Sequence, residues 1–251
     1  MSRRYLGALL VLCASRSAFA QVAGTASEVA PSRVQQLPDT PRAPRLRFAP
    51  WLGFAVPIGS VTPQLAMSEL TPPALLIGGD MAWGPSLTWH VGLTFLTSVG
   101  LGEPKVCPEP HDSCSLAGGG QVALRGRYYL RPAERVNPWL GLGAGLEVLG
   151  NTSATTTSRD QVVFSSSSTT KRSDVYYGPV FGMLQAGVDF RVKRAVTLGG
   201  VLGFSLSRFT NVTHTTTVDD QDTTSSRSSV PSAALHQWLF LAVNGTFDAR
   251  L

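Results

Sequence analysis

The closing stretch of the chain, LHQWLFLAVNGTFDARL at residues 235–251, separates into two sets when every second residue is read. Leu235, Gln237, Leu239, Leu241, Val243, Gly245, Phe247, Ala249 and Leu251 make one set, almost wholly apolar. His236, Trp238, Phe240, Ala242, Asn244, Thr246, Asp248 and Arg250 make the other, which is mixed. Successive side chains of a strand point to opposite faces, so a period of two held this long specifies an extended strand with one greasy face. The same period returns along the chain. Eight segments carry it: 47–58, 74–83, 87–101, 116–130, 139–149, 175–192, 195–208 and 235–251. No 3.6-residue periodicity of useful length interrupts them, and the fold class is all-β.

What the apolar faces meet decides the rest. Only 15% of the 251 residues are charged, below the roughly 25% usual in soluble domains. No charge enters the apolar faces before Arg208, at a strand end. The opposite faces hold Gly, Ala, Ser, Thr, Trp and a few charges, and neither face of any segment carries a lysine. The wet side of a β-sandwich would normally carry Lys and Glu. Strands of about ten residues suit a tilted membrane crossing, whereas ordinary strands average about half that. The connections alternate in length. Residues 84–86, 131–137 and 193–194 are short links, while 59–73, 102–115, 150–174 and 209–232 are long ones. Short periplasmic turns and long external loops make this alternation in outer-membrane barrels. Open sheet edges cannot be satisfied in hydrocarbon, so the sheet must close. The expectation is an eight-stranded antiparallel transmembrane up-and-down β-barrel over residues 45–251. Phe48, Trp83, Trp89, Tyr128, Phe190 and Phe247 fall on the outward register near the short turns, as an interfacial girdle would. Phe54, Phe95, Tyr176 and Phe204 would mark the upper half.

The start of the chain has a different character. Arg3 and Arg4 precede an apolar run from Leu6 to Ala14, and Ala18-Phe19-Ala20 has the small-residue cleavage pattern. Residues 1–20 read as a secretory signal peptide, too short to span a bilayer as a helix. Residues 21–44 are rich in Pro, Ala and polar residues without periodicity, and read as a disordered tether. Cys107 and Cys114, with six residues between them in an exported chain, suggest one loop disulfide. His111 and Asp112 lie between them but fit no common zinc spacing. No metal or other cofactor is expected. The formal charge of +5 comes without a basic cluster interleaved with aromatics, so nucleic acid is not an expected partner.

An N-terminal signal, about 200 residues of eight alternating segments and long polar loops resemble the small outer-membrane β-barrels of Gram-negative bacteria, the OmpX, OmpW and OmpA-membrane-domain group. Such proteins usually end in an aromatic residue; this chain ends in Leu251. The resemblance implies outer-membrane lipids as surroundings and a monomeric barrel.

Topology sorts the inward residues by depth. Arg47, Asp80, His90, Arg125, Arg127, Asp189, Arg191, Asp248 and Arg250 belong near the short turns. Charges in a narrow lumen must pair, which makes this set a polar plug. Trp51, Leu76, Leu96, Tyr177, Phe181, Met183, Trp238 and Phe240 belong higher, beside glycines. They either pack together or, with Trp51, Leu76, Leu96, Phe181, Met183, Trp238 and Phe240 as lining, leave an apolar pocket for a small hydrophobic ligand, as barrels resembling OmpW are thought to have. Eight strands leave a lumen barely wider than its own side chains, which argues against a general pore.

The two long, Thr- and Ser-rich loops could extend the fifth to eighth strands as a protruding sheet with an edge for a surface partner. Asp219, Asp220 and Asp222 at one tip read as solvated carboxylates, and the Asn-x-Ser/Thr triplets carry little weight. Some eight-stranded barrels modify lipid A, but neither His90, near Ser86 and Ser98, nor His236 has a convincing acid. The leading expectation is a non-enzymatic envelope-structural or surface-interaction protein. A conduit or binder for small hydrophobic molecules is the alternative, and a lipid A-modifying enzyme a distant third.

Overall fold

The structure is a computed structural model describing residues 45–105, 113–114, 118–161, 164–193, 195–219, 222–230 and 232–250, with backbone alone at 113–114, 158–161, 164–167, 222 and 250. The signal segment, the tether and the disulfide expected between Cys107 and Cys114 lie outside what is described. The elements in chain order are β1 (Arg45–Thr62), β2 (Leu65–Ala66), α1 (Met67–Leu70), β3 (Ala74–Gly84), β4 (Trp89–Gly100), β5 (Ser113–Cys114), β6 (Gly118–Tyr129), β7 (Val136–Gln161), β8 (Phe164–Lys193), β9 (Val196–Ser207), β10 (Asn211–Val218), β11 (Asp222–Ser229) and β12 (His236–Arg250).

Eight of these strands close a ring. Each of β1, β3, β4, β6, β7, β8, β9 and β12 pairs antiparallel with its neighbour in that order. β12 returns to β1 with Arg47 opposite Asp248 and Ile58 opposite Gln237. No backbone edge is left open around the ring, as hydrocarbon demands.

The alternation of the sequence becomes an alternation of burial, with the usual sense inverted. Along the first half of β1 every odd residue is buried and every even one exposed. Leu142, Leu146 and Leu241 are about two-thirds exposed, while the mixed face points into the ring. A soluble monomer rarely exposes an apolar patch above a few hundred Å²; here such a surface runs around the whole barrel. Phe48, Trp83, Trp89, Tyr128, Phe190 and Phe247 are all outward at 38–55% exposure, and Trp89 packs on Tyr128 with ring centroids 4.8 Å apart. This is a lipid-facing belt with an aromatic girdle at the short-turn end.

Beyond the ring, two hairpins continue as a sheet. The upper half of β7 runs on with β8, from Asn151 opposite Asp174 to Gln161 opposite Phe164. β10 adds to β8, β11 adds to β10, and the short β5 pairs with β7. Among the described residues β11 has one neighbour and forms a free edge. Asp219, at φ 49°, ties the tip together: its carboxylate accepts from Thr169 N at 2.8 Å and Ser168 Oγ at 3.1 Å. At the same end α1 covers the ring. Met67 and Leu70 are buried with Val61, Phe209, Val212 and Val230 in one apolar cluster. Ala66 N donates to the Glu69 side chain, and Lys105 N to Glu69 O, which fixes this cap.

One strand breaks phase. Between Val180 and Met183, β8 carries one residue more than β7 opposite it, and the same shift appears against β9. A bulge of this kind flips every side chain beyond it to the other face. Phe181, expected inside as a pocket residue, therefore lies outside at 55% exposure. Val180 and Tyr176, expected outside, turn inward: Val180 is buried and Tyr176 packs on Phe209 at 5.7 Å. Tyr177, expected inside, lies under the Arg227 guanidinium, 4.8 Å from its ring centroid.

Candidate functional site in the barrel lumen

The inward residues form two layers. The lower is ionic. β1 contributes Arg45 and Arg47, β3 Asp80, β4 His90, β6 Arg125, Arg127 and Tyr129, β7 Trp139, β8 Asp189 and Arg191, and β12 Asp248. All follow the inward register of their strands, which is why side chains so far apart in sequence converge.

Asp80 holds two guanidinium groups, Arg125 at 2.5 Å and Arg127 at 3.0 Å, and accepts from Thr94 Oγ1 at 2.7 Å. Asp189 accepts from Arg47 Nη1 at 3.2 Å, Tyr129 Oη at 3.2 Å and Trp139 Nε1 at 3.0 Å. Asp248 accepts from Arg47 Nε at 2.8 Å and Arg45 Nη1 at 3.0 Å. Tyr129 is the hub, fully buried and hydrogen-bonded by both Arg47 and Arg127. Arg127 also lies 3.7 Å above the Trp139 ring, a cation–π contact in a desolvated site. His90 accepts at Nε2 from Arg45 and packs on Tyr129.

Arg47, Asp80, His90, Arg125, Arg127 and Asp189 are thus all buried in one network, with Asp248 at its edge; Arg191 is buried beside it and donates to the Ala133 and Pro132 carbonyls. The Arg250 side chain lies outside the described ones. Sequence reasoning did not name Arg45, Tyr129 or Trp139. Register alone could have found all three, since each is inward on a strand already drawn or at its start.

The upper layer is mostly apolar. Trp51, Leu76, Leu96, Met183, Trp238 and Phe240 are each at most 5% exposed. Trp51 and Phe240 are 6.3 Å apart, and the Gln185 amide joins Arg125 below to Met183 above. A cavity of about 20 Å³ remains beside Leu76, Leu96, Trp238 and Phe240, bounded on its polar side by Gln121 and Glu147. That is room for a water molecule or two. Glu147 was missed in sequence. It is buried, accepts from Trp238 Nε1 at 2.6 Å and meets His236 Nε2 at 3.1 Å. An isolated carboxylate is costly in such a place, and these two donors account for its presence.

Chemistry of the acyl-transfer kind needs a nucleophile on the base. His236 has an acid in Glu147, and Ser207 faces it across β9 and β12. Yet the Ser207 hydroxyl and His236 Nδ1 are both buried without a hydrogen-bond partner, so the pair is not joined. His90 is engaged by Arg45 and bonds neither Ser86 nor Ser98. Among the described residues no cluster of three His, Cys, Asp or Glu could hold a metal ion.

No family model matches the sequence, and no curated protein matches it either. Solved structures do match. A major outer membrane protein from Thermus thermophilus is 14% identical, with 83% of this chain and 100% of that one covered and a TM-score of 0.50. Neisserial surface protein A is 10% identical over 81% of this chain and 95% of that one, at a TM-score of 0.43. The outer membrane protease OmpT from Escherichia coli is 12% identical over 82% and 97%, at 0.38. A closed ring of eight antiparallel strands with a greasy outer face is the fold of the small bacterial outer-membrane β-barrels.

Proposed function

We propose that this chain is a non-enzymatic, non-conducting outer-membrane protein whose task is done outside the bilayer, by the sheet that β7, β8, β10 and β11 raise above the barrel. One observation supports the reading: among the described residues β11 pairs on one side only, with β10, and leaves its other edge free in a region of Thr, Ser and Asp, set on a rigid closed base. Backbone donors and acceptors along such an edge can pair with an extended segment of a partner, the mode in which main-chain hydrogen bonds supply affinity. The base suits an anchor. Its lumen is crossed by ion pairs below and capped by apolar side chains above, so its interior is spent on holding the ring together.

The test replaces residues 152–172 and 211–229 by short turns and displays both forms on cells. The trimmed barrel should still fold and insert, while attachment of the cells to host or bacterial surfaces falls to background. Equal attachment by both forms would end the reading.

The conduit reading draws on the cavity next to Trp238 and Phe240. Admitting a hydrophobic molecule there requires those rings and the α1 cap to move. Planar-bilayer conductance, or uptake of a fluorescent hydrophobic probe that vanishes on Phe240→Trp, would favour it over the anchor.

A further inference from the structure

At the short-turn mouth of the lumen the positive charge exceeds what the nearby carboxylates balance. Arg45, Arg47 and Arg191 are buried there. Asp248 takes Arg45 and Arg47, and Asp189 takes Arg47. Arg191 reaches neither; its Nη1 and Nη2 donate to Ala133 O at 3.3 Å and Pro132 O at 2.8 Å. The layer above has no carboxylate to lend, since Asp80 is already shared by Arg125 and Arg127. Among the described inward groups of the mouth, three guanidinium groups face two carboxylates, Asp189 and the partly exposed Asp248. One positive charge is left over.

A second observation falls at the same place. Arg45, Arg47, Arg191 and Thr197 wall a cavity of about 10 Å³, with Asp189 and Asp248 also on it. Its outer rim carries Arg135 and Glu134, one of each sign. Thr197 sits opposite Arg191 across β8 and β9, and its Oγ1 is buried with no hydrogen-bond partner. That hydroxyl needs an acceptor, and arginines provide none.

We propose that this cavity binds a single small inorganic anion, chloride in ordinary salt, between the Arg191 guanidinium and the Thr197 hydroxyl. The volume is about that of one water-sized sphere, which excludes phosphate, sulfate and carboxylate ligands. One negative charge offsets the excess at the mouth, and the layer above, where Arg125 and Arg127 share Asp80, adds to the positive field that would hold it. A water would fill the space and accept from Thr197 but would leave the charge unbalanced in a poorly solvated mouth, where unpaired ions are costly. The ion reaches the site from the side of the short turns.

The test uses the whole chain folded in a neutral detergent. The temperature at which heat-dependent gel mobility changes is followed from about 5 to 500 mM sodium chloride, with sodium gluconate holding ionic strength constant. The midpoint should climb with the logarithm of chloride concentration, as it does for a ligand bound by the folded state alone. Bromide should substitute. Arg191→Gln should flatten the dependence, and Thr197→Val should move it to several-fold higher chloride. Chlorine-35 line broadening by the folded wild type, absent in Arg191→Gln, reads occupancy without unfolding. Midpoints that do not move as chloride replaces gluconate, with no broadening, would overturn the site and leave water in the cavity. So would a chloride dependence unaltered in both variants. If Arg191→Gln does not fold, Thr197→Val decides alone.

Discussion

Asp80 is the carboxylate that both Arg125 and Arg127 share. It is 1% exposed and stands between two guanidinium groups. Removing its charge leaves Arg125 and Arg127 buried without a carboxylate, and breaking a buried pair from one side costs roughly 3–5 kcal/mol. Asp80→Asn should lower folding stability by about that much in a denaturant titration of the vesicle-inserted barrel, with the folded form still reached. A loss under about 1 kcal/mol would mean that water screens the plug. Steric limits bind as tightly at Gly203. A Cβ there would run into the Phe240 ring, the close approach only glycine permits. Gly203→Val should cost about 1–3 kcal/mol by overpacking, and pairing it with Phe240→Leu should recover part of the loss. Unequal parts of this were legible in the sequence. Inward register named Asp80, Arg125 and Arg127 because charges stand out on a strand. Tyr129 and Trp139 obey the same register but look like ordinary aromatics. Glu147 was inward by the same rule, yet its partners lie 89 and 91 residues away, and pairings at that distance leave no local trace.

The elements were read from their period, and where the period held the reading held. Eight alternating segments became eight strands, with ends moved by a few residues and the fifth and sixth lengthened into the outer sheet. β8 is the exception. Around its bulge the chain reads Tyr176-Tyr177-Gly178-Pro179-Val180-Phe181-Gly182, apolar or small at odd and even positions alike. Alternation is silent there, so a phase carried up from Leu184 ran through the extra residue uncorrected. The bulge makes a specific prediction. Deleting Gly182 removes the extra residue, so β8 matches β7 step for step and Asp174, Tyr176 and Val180 keep the inward face they have now. Tyr176 should keep Phe209, and His214 its 2.7 Å contact with Asp174. The outer sheet should stay attached to a closed ring. Protease added to intact cells should spare residues 164–178 in the deletion variant as in the wild type. Cleavage there in the variant alone would show that the extra residue does more than set the phase of the upper strand.

For the molecule as a whole the governing question is what surrounds it. In water the outer face would be an aggregation surface, and almost any charge placed there would be harmless or helpful, with surface substitutions usually within about 0.5 kcal/mol. In a bilayer the same charge must leave bulk water, and its cost depends on depth. Arginine on the lipid face costs roughly 2–4 kcal/mol at the midplane and about 0–1 near an interface. Leu142 lies within the ring portion of β7, below the outer sheet, and Leu241 near the middle of β12, and both are about two-thirds exposed. Leu130 is half exposed but sits at the short-turn rim, directly after β6. Leu142→Arg and Leu241→Arg should each destabilise the vesicle-inserted barrel by about 2–4 kcal/mol, and Leu130→Arg by no more than about 1 kcal/mol, in denaturant titrations followed by tryptophan fluorescence. The gradient matters more than any one value, because a protein partner covering the same leucines would penalise charge according to its own contour and not by height above the girdle. Three equal penalties would point to such a partner, and three negligible ones to water. A fall from midplane to rim is what acyl chains alone impose on a closed ring of this height.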